Sequence, residues 1–210
     1  MNNSENSVAL TDAFARPWIP EDIVLVDELT GEDIGSVDRE KAHKEGLWHA
    51  SVHVWIIEAK GRLLFQQRAD WIHAFPNQWD ISAAGHLKVG EENAFREVSE
   101  ELGVRPNDGE IVFLGTLLSS QDGENFTNRE RPRVYLWISS LRLQDFSFPD
   151  GEVQALVAIE RTEIQKFISG GSVMAEVLRD DAVTLELVSG GNLVQQSNGY
   201  WAVLRDAVEW

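Results

Sequence analysis

The sequence predicts an α/β fold in which a mixed β-sheet packs against short helices. Residues 47–58 alternate between two faces in the manner of a β-strand. The second half of residues 85–104 predicts a short helix that stops at Gly103, a residue suited to a left-handed helix end. A loop that contains glycine joins this helix to a predicted strand at residues 79–83, so strand, loop and helix follow one another directly.

The composition is that of a globular protein, with 43% hydrophobic and 25% charged residues among 210. The net charge of -17 argues against binding to a nucleic acid polymer, which needs clustered Lys and Arg. The absence of cysteine excludes disulfides, zinc–thiolate sites and cysteine nucleophiles. No apolar stretch is long enough for a membrane span, and the first seven residues do not resemble a signal peptide. We therefore expect a soluble, cytoplasmic protein with no membrane partner.

The other elements follow from local patterns. Residues 39–46 are predicted to form a polar connection, and residues 70–78 a loop. Residues 121–125 contain an Asp-Gly hairpin turn. The remaining predicted strands are residues 23–27, 34–37, 62–68, 111–118, 133–140 and 153–159, and the remaining predicted helices are residues 163–168 and 200–208.

These elements divide the chain into three parts. Residues 1–18 are polar and are predicted to form a flexible leader. Residues 19–170 form the main domain. Residues 171–210 are a C-terminal extension, whose last helix has the 3.6-residue apolar spacing expected of a helix that packs on the domain.

Three glutamates fall on one face of the helix before Gly103. Glu97, Glu100 and Glu101 are three and four positions apart, which makes them neighbours on a helix. Crowded carboxylates repel one another unless a cation lies among them, and oxygen ligands suit a hard divalent ion such as Mg²⁺ or Mn²⁺. The alternative is a solvated acidic face without a ligand.

The predicted strand at residues 47–58 carries two imidazoles on one face. His49, Ser51 and His53 point one way, while alternate apolar residues point the other way. A half-solvated strand with incidental histidines is one interpretation. Two histidines on one face favour the other interpretation, in which they line a cleft beside the proposed site.

The strand, glycine loop and acidic helix together resemble the Nudix box, the signature of the Nudix hydrolases. The matching residues are Gly85, Glu91, Arg96, Glu97, Val98, Glu100, Glu101, Gly103 and Val104. Between Glu91 and Arg96 this chain has four residues where the family signature has seven. The resemblance extends over residues 23–168 and is strongest to the branch related to isopentenyl diphosphate isomerase. It implies the Nudix α/β/α sandwich.

The resemblance implies an Mg²⁺-dependent or Mn²⁺-dependent hydrolase. Its small-molecule substrate is a nucleoside diphosphate linked to another group, and its metal ligands are Glu97, Glu100, Glu101 and the Gly85 carbonyl. Isomerase members carry a catalytic Cys where this chain has Ala84, which disfavours isomerase chemistry. A nucleotide-binding or regulatory domain without turnover is the alternative, and the shortened box favours it. A homodimer is one of the oligomeric states left open.

Several carboxylates compete for the role of general base. Glu130 matches a glutamate that the isomerase-like branch places in its active site, although it could merely balance the neighbouring arginines. Glu152, before the strand at residues 153–159, is the competing candidate. Glu91 is a third candidate, when counted from Gly85 in the signature.

The remaining candidates are basic. Arg96 is implied to hold the carboxylates of the box, or else to form a surface salt bridge with Glu100. Arg68, at a strand end, is a candidate phosphate contact or a solvated arginine. His86, directly after Gly85, joins His49 and His53 as a candidate substrate contact.

Overall fold

A computed structural model describes residues 21–90, 95–107, 109–123 and 127–210. The predicted leader, Glu91 and part of the predicted hairpin turn lie outside these residues. The strands are β1 (Asp22–Val26), β2 (Asp33–Asp38), β3 (His49–Ile57), β4 (Leu63–Arg68), β5 (Trp79–Asp80), β6 (Ala83–His86), β7 (Ile111–Thr116), β8 (Ser119–Asp122), β9 (Thr127–Ile138), β10 (Val153–Ile159), β11 (Ser172–Arg179) and β12 (Ala182–Ser189). The α-helices are α1 (Arg39–Glu45), α2 (Arg96–Leu102), α3 (Arg161–Ile168) and α4 (Asn198–Val208).

All strands of the described residues join one mixed sheet, in which β3 is central. The main path of neighbouring strands runs β12-β11-β10-β4-β3-β1-β2. Strand β9 pairs with β3 in parallel and places Glu130 beside His49. Strand β6 pairs with β3 in antiparallel and places His86 beside Ser51. Three distant parts of the chain therefore meet at the beginning of β3.

Two hydrophobic cores lie on opposite faces of the sheet. On one face, Val52 and Ile56 belong to the core that Val98 and Leu102 of α2 complete. On the other face, Trp55 packs in the core to which α3 and α4 contribute. Helices thus cover both faces of a mixed sheet, which confirms the predicted α/β/α sandwich. Among the described residues, no helix combines the length and apolar character needed to cross a membrane.

The prediction of a polar connection at residues 39–46 is wrong, because this segment forms helix α1. The Asp38 side chain caps the helix by accepting a hydrogen bond from the Lys41 backbone N–H at 3.1 Å. Gly46 ends it in the left-handed conformation with φ of 64°. Ala42 is fully buried against the sheet. The two caps mark a helix of only seven residues, too short for a clear apolar period.

Strand β3 is not half-solvated, since every one of its residues is buried. The predicted strand at residues 79–83 is also broken into two pieces that pair with different partners, β5 with β4 and β6 with β3. Ser82 lies in the break between β5 and β6, where its hydroxyl donates to the Leu64 carbonyl and accepts from the Ile56 N–H. This hydroxyl satisfies backbone groups that the break in the ladder would leave unpaired.

Residues 172–189, in the predicted C-terminal extension, form the β11–β12 hairpin at the edge of the sheet. Strand β9 begins six residues before its predicted start at residue 133. Helix α4 is present as predicted and buries Tyr200, Trp201 and Leu204 in the core on its side of the sheet.

Candidate active site

The carboxylate of Glu97 lies against the backbone of β6. A Cβ built on Gly85 would overlap the Glu97 carboxyl carbon and Oε1, so any larger residue at this position would displace the Glu97 carboxylate. Burial raises the pKa of Glu97 to about 7, with Arg96 opposing the rise and Glu100 adding to it. The Glu97 carboxylate therefore lies next to the backbone of Gly85, and the role of these two residues as metal ligands stays a prediction.

Glu101 lies one helical turn beyond Glu97 and is buried. Its Oε2 accepts hydrogen bonds from the Ala84 N–H at 3.1 Å and from Gln66 Nε2 at 3.4 Å. Burial raises the pKa of Glu101 well above its usual range, and the neighbouring Glu97 raises it further. Burial and the charge of Glu97 both disfavour the ionised form of Glu101. Glu97 and Glu101 are therefore two neighbouring carboxylates that are costly to ionise together.

Glu100 is placed differently from the other two glutamates. About half of its side chain is exposed, and it forms an ion pair with Arg96. Arg96 also donates to Glu97. Arg96 thus contacts two carboxylates of the box, Glu97 and Glu100. The salt bridge to Glu100 is one of these two contacts.

Four imidazoles and one carboxylate form a second cluster on the face of β3 opposite α2. Ring nitrogens of His43, His49 and His86 all lie within 4.8 Å of one another. Glu130 Oε1 lies 3.9 Å from His49 Nε2 and 3.8 Å from His86 Nε2, while its Oε2 lies 3.5 Å from His53 Nε2. The pairing of β9 and β6 with β3 produces this convergence, because directly paired residues share a face of a sheet.

The electrostatics of this cluster leave nitrogen lone pairs available. Burial and the neighbouring His49 lower the pKa of His43 to about 4, and burial lowers that of His86 well below its ordinary value. His49 Nδ1 lies 2.8 Å from the Leu47 carbonyl, which can only accept, so Nδ1 carries the proton. The buried Nε2 atoms of His49 and His86 have no hydrogen-bond partner among the described residues.

Glu130 is the anion of this cluster. Burial alone would raise its pKa, but the hydrogen bond with His53 and the favourable electrostatic interactions with His53 and His49 outweigh burial and lower the pKa below the usual range. Glu130 is therefore ionised at neutral pH. The structure places Glu130 beside three histidines, and its role as general base stays a prediction.

Arg68 and Asp80 lie between the two clusters. Arg68 Nη1 is 3.2 Å from Asp80 Oδ2, and Arg68 Nε donates to the Ala74 carbonyl at 2.8 Å. Burial raises the pKa of Asp80, against the opposing charge of Arg68. The charge of Arg68 also lowers the pKa of Glu101. Arg68 is therefore a partly buried residue held by Asp80 and by the loop at residues 70–78, and its charge acts on Glu101.

One predicted site residue, Glu152, lies apart from the others, and two residues of the site, His43 and Asp80, were not predicted from the sequence. Glu152 is exposed, and its backbone N–H is held by Asp150. His43 was missed because α1 was not predicted, although the caps at Asp38 and Gly46 were visible signals. Asp80 was missed because an acidic residue within a short predicted strand has no local signature.

Each cluster has the chemistry of a metal site. Glu97, Glu101 and the backbone at Gly85 offer hard oxygen ligands, which suit Mg²⁺ or Mn²⁺. His43, His49, His86 and Glu130 offer imidazole nitrogens with one carboxylate, which suit a transition metal. The hydrogen bond from His49 Nδ1 to a backbone carbonyl is the usual arrangement for an imidazole that binds metal through its other nitrogen.

Comparison with known proteins agrees with this geometry. The NUDIX domain model matches residues 47–180. An uncharacterized Nudix hydrolase of Clostridium acetobutylicum is 33% identical over 141 residues, covering 64% of this chain and 68% of that protein. Nudix hydrolase 3 of Arabidopsis thaliana is 38% identical over 151 residues, covering 67% of this chain but only 19% of that longer protein. The isopentenyl-diphosphate Delta-isomerase of Escherichia coli is 30% identical over 147 residues, covering 67% of this chain and 80% of that protein.

A protein of Deinococcus radiodurans has a similar fold, with a TM-score of 0.58 and 20% identity. The match covers 88% of this chain and 98% of that one. Fold and site together define a hydrolase class in which a strand, a glycine loop and a glutamate-rich helix pack on a mixed sheet. The chain belongs to the Nudix family, and it is a hydrolase of the type that cleaves diphosphate linkages.

Proposed function

We propose that this protein hydrolyses the diphosphate linkage of a nucleoside diphosphate joined to another group, and that it needs a divalent metal. The observation that carries the proposal is the position of Glu97 against Gly85, beside the buried carboxylate of Glu101. Two desolvated carboxylates next to a strand backbone are costly to ionise alone, and a cation among them offsets that cost.

Glu97, Glu101 and the Gly85 carbonyl would hold Mg²⁺ or Mn²⁺, with Glu100 at the open edge. A bound divalent ion neutralises the diphosphate charge and lowers the pKa of a coordinated water. Arg96 keeps Glu97 and Glu100 in place through its two ion pairs. The protein itself carries a charge of -17, so cations are needed to attract an anionic substrate.

The histidine cluster would hold a second ion, of the transition-metal class, through His43, His49, His86 and Glu130. Gly85 and His86 are consecutive residues of β6, so one strand contributes to both proposed centres, from its two faces. In the absence of such an ion, Glu130 is an ionised carboxylate that can take a proton from the attacking water. Arg68 lies between the centres and is the candidate contact for phosphate oxygens.

The proposal is tested with a panel of nucleoside diphosphate derivatives, including sugar, nucleoside and dinucleotide conjugates. Purified protein is first treated with chelator, and Mg²⁺ or Mn²⁺ is then returned. We expect release of a nucleoside monophosphate from at least one member of the panel, and only with metal present. Turnover that persists in chelator, or that is unchanged in the Glu97→Gln variant, would contradict the proposed site.

A nucleotide-binding domain without turnover is the second candidate. The feature that favours it is the shortened box, in which four residues separate Glu91 from Arg96 where the family signature has seven. Saturable binding of a nucleotide without product release over the whole panel would support it. The panel also includes isopentenyl diphosphate, for which we expect no isomer exchange because Ala84 has no thiol.

A further inference from the structure

Tyr200 connects the C-terminal helix to the histidine cluster. It lies on α4, beyond the residues that match the NUDIX domain. Its side chain is buried, and its hydroxyl oxygen lies 3.0 Å from His53 Nδ1 and 2.9 Å from Trp55 Nε1. Both partners stand on the same face of β3, so a single hydroxyl joins α4 to the strand that carries the site.

The chemistry of the three groups decides the direction of these hydrogen bonds. An indole N–H can only donate, so the Tyr200 oxygen accepts from Trp55. Within the part of the chain that the structure describes, His53 is the other partner of this hydroxyl. The hydroxyl proton therefore points at His53 Nδ1, which must accept it.

An imidazole that accepts at Nδ1 carries its proton on Nε2 in the neutral form. His53 Nε2 lies 3.5 Å from Glu130 Oε2. The N–H of this tautomer is thus directed at the Glu130 carboxylate. The opposite tautomer would turn a lone pair towards a carboxylate oxygen, and the two would repel.

We propose that Tyr200 is a positioning residue for the hydrolytic site. Its hydroxyl holds His53 as the Nε2–H tautomer, and His53 in turn orients Glu130 towards the centre of the cluster. This inference rests on the proposed function for its catalytic consequence, but the tautomer itself is independent of it.

The same C-terminal segment reaches the cluster at a second point. Gln196 Oε1 accepts from Ser119 Oγ at 2.9 Å and from Gln121 Nε2 at 3.2 Å. Gln121 Oε1 accepts from Asn128 Nδ2 at 3.1 Å, and Asn128 forms a hydrogen bond with His43. Residues 190–210 therefore support the cluster from both His53 and His43, which is the arrangement expected of a segment that sets ligand orientation.

The first measurement is ¹⁵N NMR of the histidine side chains in metal-free protein, at about pH 8, above the ordinary imidazole pKa. His53 is assigned with the His53→Gln variant. We expect its Nδ1 to have the shift of an unprotonated nitrogen and its Nε2 that of a protonated one. A protonated Nδ1 in the wild-type protein would overturn the proposal, whether or not the enzyme is active.

The second measurement compares Tyr200→Phe with Tyr135→Phe, which makes the same chemical change outside the cluster. For Tyr200→Phe we expect mixed tautomers of His53 and a kcat lowered by about 10-fold to 100-fold, with KM within about twofold. Tyr135→Phe should change neither. Unaltered His53 shifts in Tyr200→Phe would refute the positioning role. If Tyr200→Phe fails to fold, the double variant with Trp55→Phe removes the orphaned indole N–H and is measured in the same way.

Failure of the proposed function has a different signature. A wild-type protein with the expected His53 tautomer, but with no turnover on any diphosphate, would reject hydrolysis and retain the Tyr200–His53 contact. Normal turnover in Tyr200→Phe together with altered His53 shifts would reject the catalytic consequence of that contact.

Discussion

The side chain of Glu97 occupies the space in which a Cβ of residue 85 would lie. Gly85 is not in the left-handed region of backbone conformation, so its φ angle does not require glycine. The requirement comes instead from the close approach of helix α2 to strand β6. The Glu97 carboxylate is pressed against the backbone of β6 at Gly85, and this contact leads to the first prediction.

Gly85→Ala should disable the site while leaving the fold in place. The added methyl group forces the Glu97 carboxylate away from β6, and a displacement of about 1 Å in a catalytic group costs about 100-fold in rate. The free energy of unfolding should change little, because the overlapping atoms are the end of a flexible side chain that can move aside. The measurements are kcat/KM on the best substrate and urea denaturation. Gly191→Ala is the control, because a Cβ there makes ordinary contacts, and it should be nearly neutral.

The stability of the metal-free protein should fall as pH rises, because of Glu97. Its pKa is about 7 in the folded protein against 4.5 for the free side chain. The folded state therefore binds more protons between these values, and stabilisation present below pH 4.5 is lost as pH rises through about 7. The expected loss is up to about 3 kcal/mol, at 1.36 kcal/mol per unit.

Denaturation of chelator-treated protein across this pH range measures the effect. Glu97→Gln cannot titrate at this position, so its stability should change less with pH than that of the wild type. Added Mg²⁺ should also flatten the wild-type curve, since the ion binds the carboxylate form. Identical pH profiles for the variant and the wild type would show that Glu97 is not the group responsible.

His86→Gln should weaken binding of a transition metal at the histidine cluster. In chelator-treated wild-type protein, an ion such as Mn²⁺ or Zn²⁺ should raise the free energy of unfolding by about 2.7 kcal/mol at 100 times its dissociation constant. Loss of one imidazole should weaken that affinity by at least about tenfold. Calorimetric titration checks the prediction, with exposed His73→Gln as the control. Equal affinities in both variants would place the ion elsewhere.

Glu130→Gln and Glu152→Gln should behave very differently. Glu130 is buried among the histidines, whereas the Glu152 side chain is exposed to solvent. A general base contributes about 10²–10⁴ to the rate, so Glu130→Gln should lower kcat by at least about 100-fold, with little change in KM. Glu152→Gln should remain within about twofold of the wild type. The reverse ranking in steady-state kinetics would move the base out of the histidine cluster.

Some of these features could be derived from local sequence alone. The two faces of β3 follow from a period of two residues, and the acidic face of α2 follows from a period of about 3.6 residues. Both periods are set by backbone geometry within one element. The end of α2 at Gly103 follows from the preference of glycine for the left-handed conformation. The same reasoning missed α1, because a helix of seven residues is too short for its period to be seen. Its capping residues were the better signal.

The tertiary structure decided which side chains meet. Glu130 reaches His49 because β9 pairs in parallel with β3, and His86 reaches Ser51 because β6 pairs with the same strand. The sequence placed Glu130 and Glu152 each shortly before a predicted strand, yet of these two it is Glu130 that faces the histidines. Strand register and helix docking depend on how distant segments bury their apolar faces together, so the position of Tyr200 beside His53 is likewise a product of packing, which no local pattern encodes.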